Sequence, residues 1–146
     1  MQISMAGKYA VRAMMHMASE PFGTVIPISV LSRQWQIPEN YLRKIIPLLT
    51  RSAIVQSRRG KGGGLLLARR AEEITFLEVL EAVEGKIFLN KCLLNEDMCF
   101  MSSWCSANDV WAEAQDAMKR VLNGRSFAEL AEMNKRLSAD RAQEAG

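Results

Sequence analysis

Acidic residues are nearly missing from the first half of this sequence. Residues 1–70 hold two, Glu20 and Glu39, against eleven Lys and Arg, a local charge of +9. Residues 71–146 reverse the balance, with fourteen Asp and Glu against eight Lys and Arg, so the 146-residue chain carries only +3 in all. That division points to a polyanion-binding half joined to a regulatory or assembly half. Histidine is down to a single residue, His16. A cysteine nucleophile would have to recruit it from more than seventy positions away. No oxyanion motif accompanies either residue, so the chain does not read as an enzyme. Cysteine is confined to Cys92, Cys99 and Cys105, an odd number that cannot pair off within one chain. A disulfide framework is thereby set aside. Apolar runs of the roughly 18 residues needed to cross a membrane are missing as well. Met1–Ala18 sets Lys8 and Arg12 before a short apolar stretch, as a signal peptide would, but the stretch contains His16 and lacks a cleavage site. It reads as an amphipathic helix of a cytoplasmic protein.

What is present is a series of helical patterns interrupted once. Ile3, Ala6, Ala10, Val11, Met14 and Met17 fall at helical spacing over 3–19, and Pro21 and Gly23 end that helix. "ISVLSRQW", 28–35, predicts a short helix with Val30 and Leu31 inward, and "QIP" a tight turn. Residues 39–52 predict a third helix opened by Pro38, with Leu42, Ile45, Ile46 and Leu49 on one side. Two short helices joined by such a turn form a helix-turn-helix. Pro47 lies inside the second of them and predicts a kink or break near Arg43–Lys44. "IVQSRR" (54–59) and "LLLAR" (65–69) predict two strands around a glycine tip. Thr75–Glu78 is a capping box that opens a helix over 76–84, stopped by Gly85. Residues 86–106 have no clean period. Over 107–122, Val110, Trp111, Ala114, Met118, Val121 and Leu122 line one stripe, and Ser126–Glu129 is a second capping box before a short last helix.

The tip, "RRGKGGGLLL" over 58–67, crowds three cations around four glycines. No Ser or Thr follows Lys61 and no helix follows the glycines, which excludes a P-loop and a dinucleotide fingerprint. The hairpin after a helix-turn-helix makes a winged helix. Small residues let its tip approach a sugar–phosphate backbone, and Arg58, Arg59 and Lys61 supply cations for phosphates or a narrow minor groove.

"GKYAVRAMMHMA" and "YLRKIIPLLTRSAIVQSRRGKGGGLLLARRAEEITFLEVLEAVEG", with three closely spaced cysteines, resemble the winged-helix iron–sulfur transcription regulators of the IscR, NsrR and RirA type over residues 1 to about 135. The resemblance implies a mainly α fold with a small β-hairpin wing and a homodimer bound to double-stranded DNA, with no membrane partner. The domain order it implies is a winged helix-turn-helix over 1–84, a cysteine-bearing loop over 85–106, a dimerisation helix and C-terminal helix over 107–137, and a flexible tail over 138–146. It implies that the second helix of the motif enters the major groove and the wing the minor groove. Asn40, Tyr41, Arg43 and Lys44 fall on recognition-helix contact positions, and Arg59 on the wing arginine. Arg43 and Lys44 depart from the best-known member, which has an acid and an amide there, so a different operator is implied. Arg or Lys favours guanine edges or phosphates. The amphipathic stripe from Val110 to Leu122 is the expected two-fold seam.

Spacing leaves the cysteines open. C-x6-C-x5-C is too wide for a zinc knuckle and suits cluster ligands, redox-active thiols or buried inert thiols. The resemblance implies an iron–sulfur cluster on Cys92, Cys99 and Cys105 that senses redox state, nitric oxide or iron supply. Its fourth ligand is unmatched: the family histidine is Asn108 here, and the partner's acidic residue is Lys8. Asp109, Asp97, Glu96 or an exogenous ligand are the candidates, and the missing histidine favours 4Fe–4S over 2Fe–2S. The alternative is a cluster-free regulator controlled by thiol oxidation or a protein partner, as in the CymR branch.

Overall fold

The structure, a computed structural model, describes all 146 residues. Six α-helices and one hairpin follow in the order α1 (Met5–Ser19), α2 (Ile28–Trp35), α3 (Glu39–Arg51), β1 (Val55–Arg58), β2 (Gly64–Leu67), α4 (Phe76–Glu84), α5 (Ser106–Asn123) and α6 (Phe127–Ala145). No helix is long and apolar enough to cross a membrane.

Ser4 caps α1 by accepting from the Gly7 backbone N–H, which starts that helix two residues later than its apolar spacing predicts. Ala10, Ala13, Met14 and Met17 are its buried stripe. They meet Leu31 of α2, Leu42, Ile45 and Leu49 of α3, Val79 of α4 and Phe127 of α6 in one core. Gln36 takes a left-handed conformation (φ 50°) at the end of α2, and this makes the tight turn into α3. The helix-turn-helix therefore stands.

Pro47 neither ends nor breaks α3, which runs uninterrupted over thirteen residues. The expected break fails because the proline is on the exposed side, while Leu42, Ile45 and Leu49 anchor the opposite face on both sides of it. One lost backbone bond is outweighed by that burial.

In the hairpin Val55 pairs with Leu67 and Arg58 with Gly64, antiparallel, so residues 59–63 form the tip. Ile26 adds a bridge to Leu65, with bonds of 2.8 Å in both directions. Leu65, Leu66 and Leu67 are all buried, which roots the wing in the core.

Both capping boxes form: Thr75 with Glu78 opens α4, and Ser126 with Glu129 opens α6. The last helix is not short, and it continues past Ser138 into the stretch expected to be a flexible tail. α6 extends to Ala145, although all residues after Leu137 are exposed. Ala, Arg, Gln and Glu in that stretch are strong helix formers and carry the last turns without a buried face.

Candidate functional site

Two surfaces concern function: a basic face made by α3 and the wing, and the cysteine loop with the helix that follows it. On α3, Asn40, Arg43 and Lys44 are exposed. Tyr41 is half-buried, with its ring edge-on to Tyr9 at 5.0 Å, so it props the helix as well as facing outward. The Lys44 ammonium sits 5.9 Å from the Tyr41 ring centre, a cation–π contact that limits its sweep. Arg43 has the Glu39 carboxylate 3.7 Å away, an exposed i,i+4 pair.

Arg58 closes β1, and Arg59 and Lys61 occupy the exposed tip. None of the three has a carboxylate within 4 Å, since the molecule's ion pairs are Glu39–Arg43, Arg69–Glu78 and Glu81–Lys119. Gly60 and Gly62 adopt φ of 91° and 74°, and a Cβ on Gly63 would run into the Arg58 carbonyl oxygen. The tip therefore needs glycine for its own fold, apart from any close approach to a ligand. The seven residues expected on the DNA face all lie on α3 and the wing.

The cysteine loop is built from short 3-10 turns. Cys92 lies in the turn Lys91–Leu93, opened by the Asn90 side chain, and Cys99 ends the turn Glu96–Met98, opened by Asn95. Cys105 stands at the N-cap of α5, where its sulfur makes no capping bond. All three thiols are free and half-buried. The asparagines are the signal for these turns, because a short amide side chain that accepts from a following N–H starts a turn without apolar periodicity.

An iron–sulfur cluster needs soft sulfur ligands, and three free thiols within fourteen residues fit in kind and number. The one buried side-chain polar atom without a hydrogen-bond partner is Asn108 Oδ1, in the turn that Cys105 caps. Placement is less complete, because no three His, Cys, Asp or Glu side chains stand close enough together to hold a metal ion. Every backbone hydrogen bond that starts between Leu93 and Trp104 reaches back at most four residues. Gathering the sulfurs therefore asks for rearrangement within the loop. His16 is on α1, its ring edge-on to Trp35 at 6.2 Å, as a packing residue would be.

Two contacts tie the loop to the helices and a third pairs α5 with α4, and sequence reasoning missed them. The Ile87 N–H donates to Glu81 Oε1 at 3.2 Å, the Leu89 N–H donates to Gln115 Oε1 at 3.0 Å, and Lys119 reaches Glu81 at 3.6 Å. Further back, Glu84 at the end of α4 accepts from the Ser4 N–H and hydroxyl at the start of α1. No local pattern announces a contact between residues eighty apart.

α5 has no buried residue over its eighteen positions. Val110, Trp111, Ala114 and Val121 form an exposed apolar row, with Val110 and Val121 each about two-thirds open. Met118 and Leu122 of the same stripe are half-buried. Phe100 and Trp104, paired edge-on in the loop, are exposed too.

Comparison with known proteins gives the family and the fold. The chain is 32% identical over 131 residues to an HTH-type transcriptional regulator of Mycobacterium tuberculosis, covering 90% of this chain and 81% of that one. It is 29% identical over 130 residues to the HTH-type transcriptional regulator IscR of Escherichia coli, covering 89% and 80%. Among solved structures, CymR, the global cysteine regulator of Bacillus subtilis, superposes with a TM-score of 0.76 at 24% identity, over 91% of this chain and 98% of that one. IscR of T. potens superposes with 0.72 at 23%, over 92% and 88%. These two likenesses support the winged-helix fold. The model of the Rrf2 family, described as iron-dependent transcriptional regulators, matches residues 3–133, and with a helix-turn-helix, a basic wing and that match along nearly its whole length, the chain belongs to the Rrf2 family of DNA-binding transcriptional regulators.

Proposed function

We propose that this regulator works as a homodimer whose DNA affinity is set by an iron–sulfur cluster held by Cys92, Cys99 and Cys105. The observation that carries this reading is the position of the three free thiols. They occupy one loop that ends at the cap of the bare α5 and is strapped to α4 through Glu81 and to α5 through Gln115. When bound, the cluster supplies irons whose redox state and ligand set respond to oxidants, nitric oxide or iron supply. The chain's own part is mechanical. Drawing the thiols together would pull on Ile87 and Leu89 and, through them, on Glu81 of α4 and Gln115 of α5, while Glu84 of α4 in turn accepts from Ser4, the cap of α1 in the DNA-binding unit. In a two-fold dimer through the Val110–Val121 row, such a shift alters the distance between two recognition helices. The bound fourth ligand would come from Asp109, Asp97, Glu96, the partner subunit or a small exogenous molecule.

A second reading rests on a specific observation. The three sulfurs are not gathered with other ligands, which suits control by thiol oxidation or a partner protein without a cluster. Anaerobic reconstitution with iron and sulfide separates the two. The cluster reading expects visible absorption that is lost in each of Cys92→Ser, Cys99→Ser and Cys105→Ser. Absorption that survives all three substitutions, or never develops in the wild type, contradicts it.

A further inference from the structure

We propose that Arg43 is a backbone-phosphate contact and not a base reader, because it shares one anion cavity with the two wing arginines. The cavity lies between α3 and the hairpin, has a volume of about 440 Å³, and is lined by Arg43, Arg58, Arg59 and the glycine backbone at 60, 63 and 64. It has no carboxylate in its lining. Three arginines bordering one cavity repel each other unless an anion joins them. Arg58 and Arg59 have no acidic partner anywhere in the chain. Arg43 has only the exposed Glu39 pair, of a kind weak enough to open for a phosphate.

The inference rests on the DNA-docking reading, with α3 in the major groove and the wing in the adjacent minor groove. Those two grooves are separated by one sugar–phosphate strand. A cavity between the helix and the wing therefore faces that strand, and its ligand is a phosphodiester of the duplex. The glycines leave the cavity floor without side chains, so the strand can come close to backbone N–H groups as well as to guanidinium groups. Phosphate contacts set register and strength but do not read sequence. Discrimination by α3 then falls to Asn40 and Lys44.

The test compares wild type, Arg43→Ala and Arg43→Lys. The wild type first selects a duplex from a randomised DNA pool. Anisotropy titrations then measure each protein on the selected duplex and on a scrambled duplex of equal length, over a range of KCl. Circular dichroism checks the fold of each variant, and Arg43 is exposed enough for both to fold. The proposal expects Arg43→Ala to lose affinity by the same factor on both duplexes. The slope of log affinity against log salt should become shallower by about 0.9. Arg43→Lys should restore both, since a phosphate accepts a point charge while a bidentate guanine contact does not. A loss on the selected duplex that exceeds the loss on the scrambled one by about fivefold or more marks a base contact and overturns the proposal. An unchanged salt slope overturns it as well. Wild-type protein that binds neither duplex brings down the DNA-docking reading itself, a failure distinct from either of these.

Discussion

Single residues in this chain matter most where backbones come close. A Cβ on Gly64 would press into the carbonyl carbon of Ile26 at 2.6 Å and the nitrogen of Pro27 at 2.9 Å, both backbone atoms that cannot swing away. Gly64→Ala should therefore spread the Ile26–Leu65 bridge and destabilise the fold by about 1–3 kcal/mol, as overpacking does. Thermal unfolding reads this directly, and a variant as stable as wild type would show that the bridge is not fixed. The glycine run was legible in the sequence as a hairpin tip. The bridge was not, because Ile26 lies before the helix-turn-helix and nothing local links it to the wing. Pro47 taught the opposite lesson. A local rule predicted a break, and tertiary burial on the far face of α3 overrode it.

At the scale of elements, caps and stripes were the readable part. Both capping boxes and the helix after Thr75 lie where the sequence puts them, because each depends on residues three apart. The reach of α6 was hidden, since its last turns bury nothing and leave no apolar period to read. Its start is the better handle. Ser126→Ala should cost about 1 kcal/mol by removing the acceptor for the Glu129 N–H, a loss visible in thermal unfolding. The Glu129 carboxylate is held below its ordinary value, chiefly by the backbone hydrogen bond from Ser126, which outweighs an opposing desolvation, with the Ser126 hydroxyl and nearby Arg125 adding to the lowering. A folded value below the unfolded one means that this contribution is present above the unfolded value and fades as pH falls through the folded one. Glu129→Gln should therefore weaken the acid-side fall in melting temperature. An identical pH profile would show that the carboxylate is not coupled to folding. For α5, if the bare row is the proposed dimer seam, Val121→Glu places a charge in it, and sedimentation should find monomer. A variant that remains fully dimeric would exclude this helix as the seam.

At the scale of the whole molecule, the proposed function joins two surfaces by a mechanical path. The charge division of the sequence maps onto it: the +9 half contains the helix-turn-helix and the wing, and the other half contains the cysteine loop and the bare helix. The helix-turn-helix and the tip that carry the seven residues expected at DNA were legible, because helical spacing and a glycine run mark them. The path was not, because it runs through Ser4–Glu84, Ile87–Glu81 and Leu89–Gln115, pairs that only the fold brings together. The cysteines stand between these cases: their number and confinement to one loop show in the sequence, and their gathering does not show in the structure. The central claim is that this loop governs DNA affinity. Its most direct test is an anaerobic DNA titration of the reconstituted protein and of the same protein stripped of iron, side by side, with Cys99→Ser as the control. The account predicts affinities that differ by about 5- to 150-fold, the usual range of such coupling, with Cys99→Ser behaving as the stripped form under both treatments. Equal affinity in the two forms, with absorption showing that the cluster is bound, would contradict it.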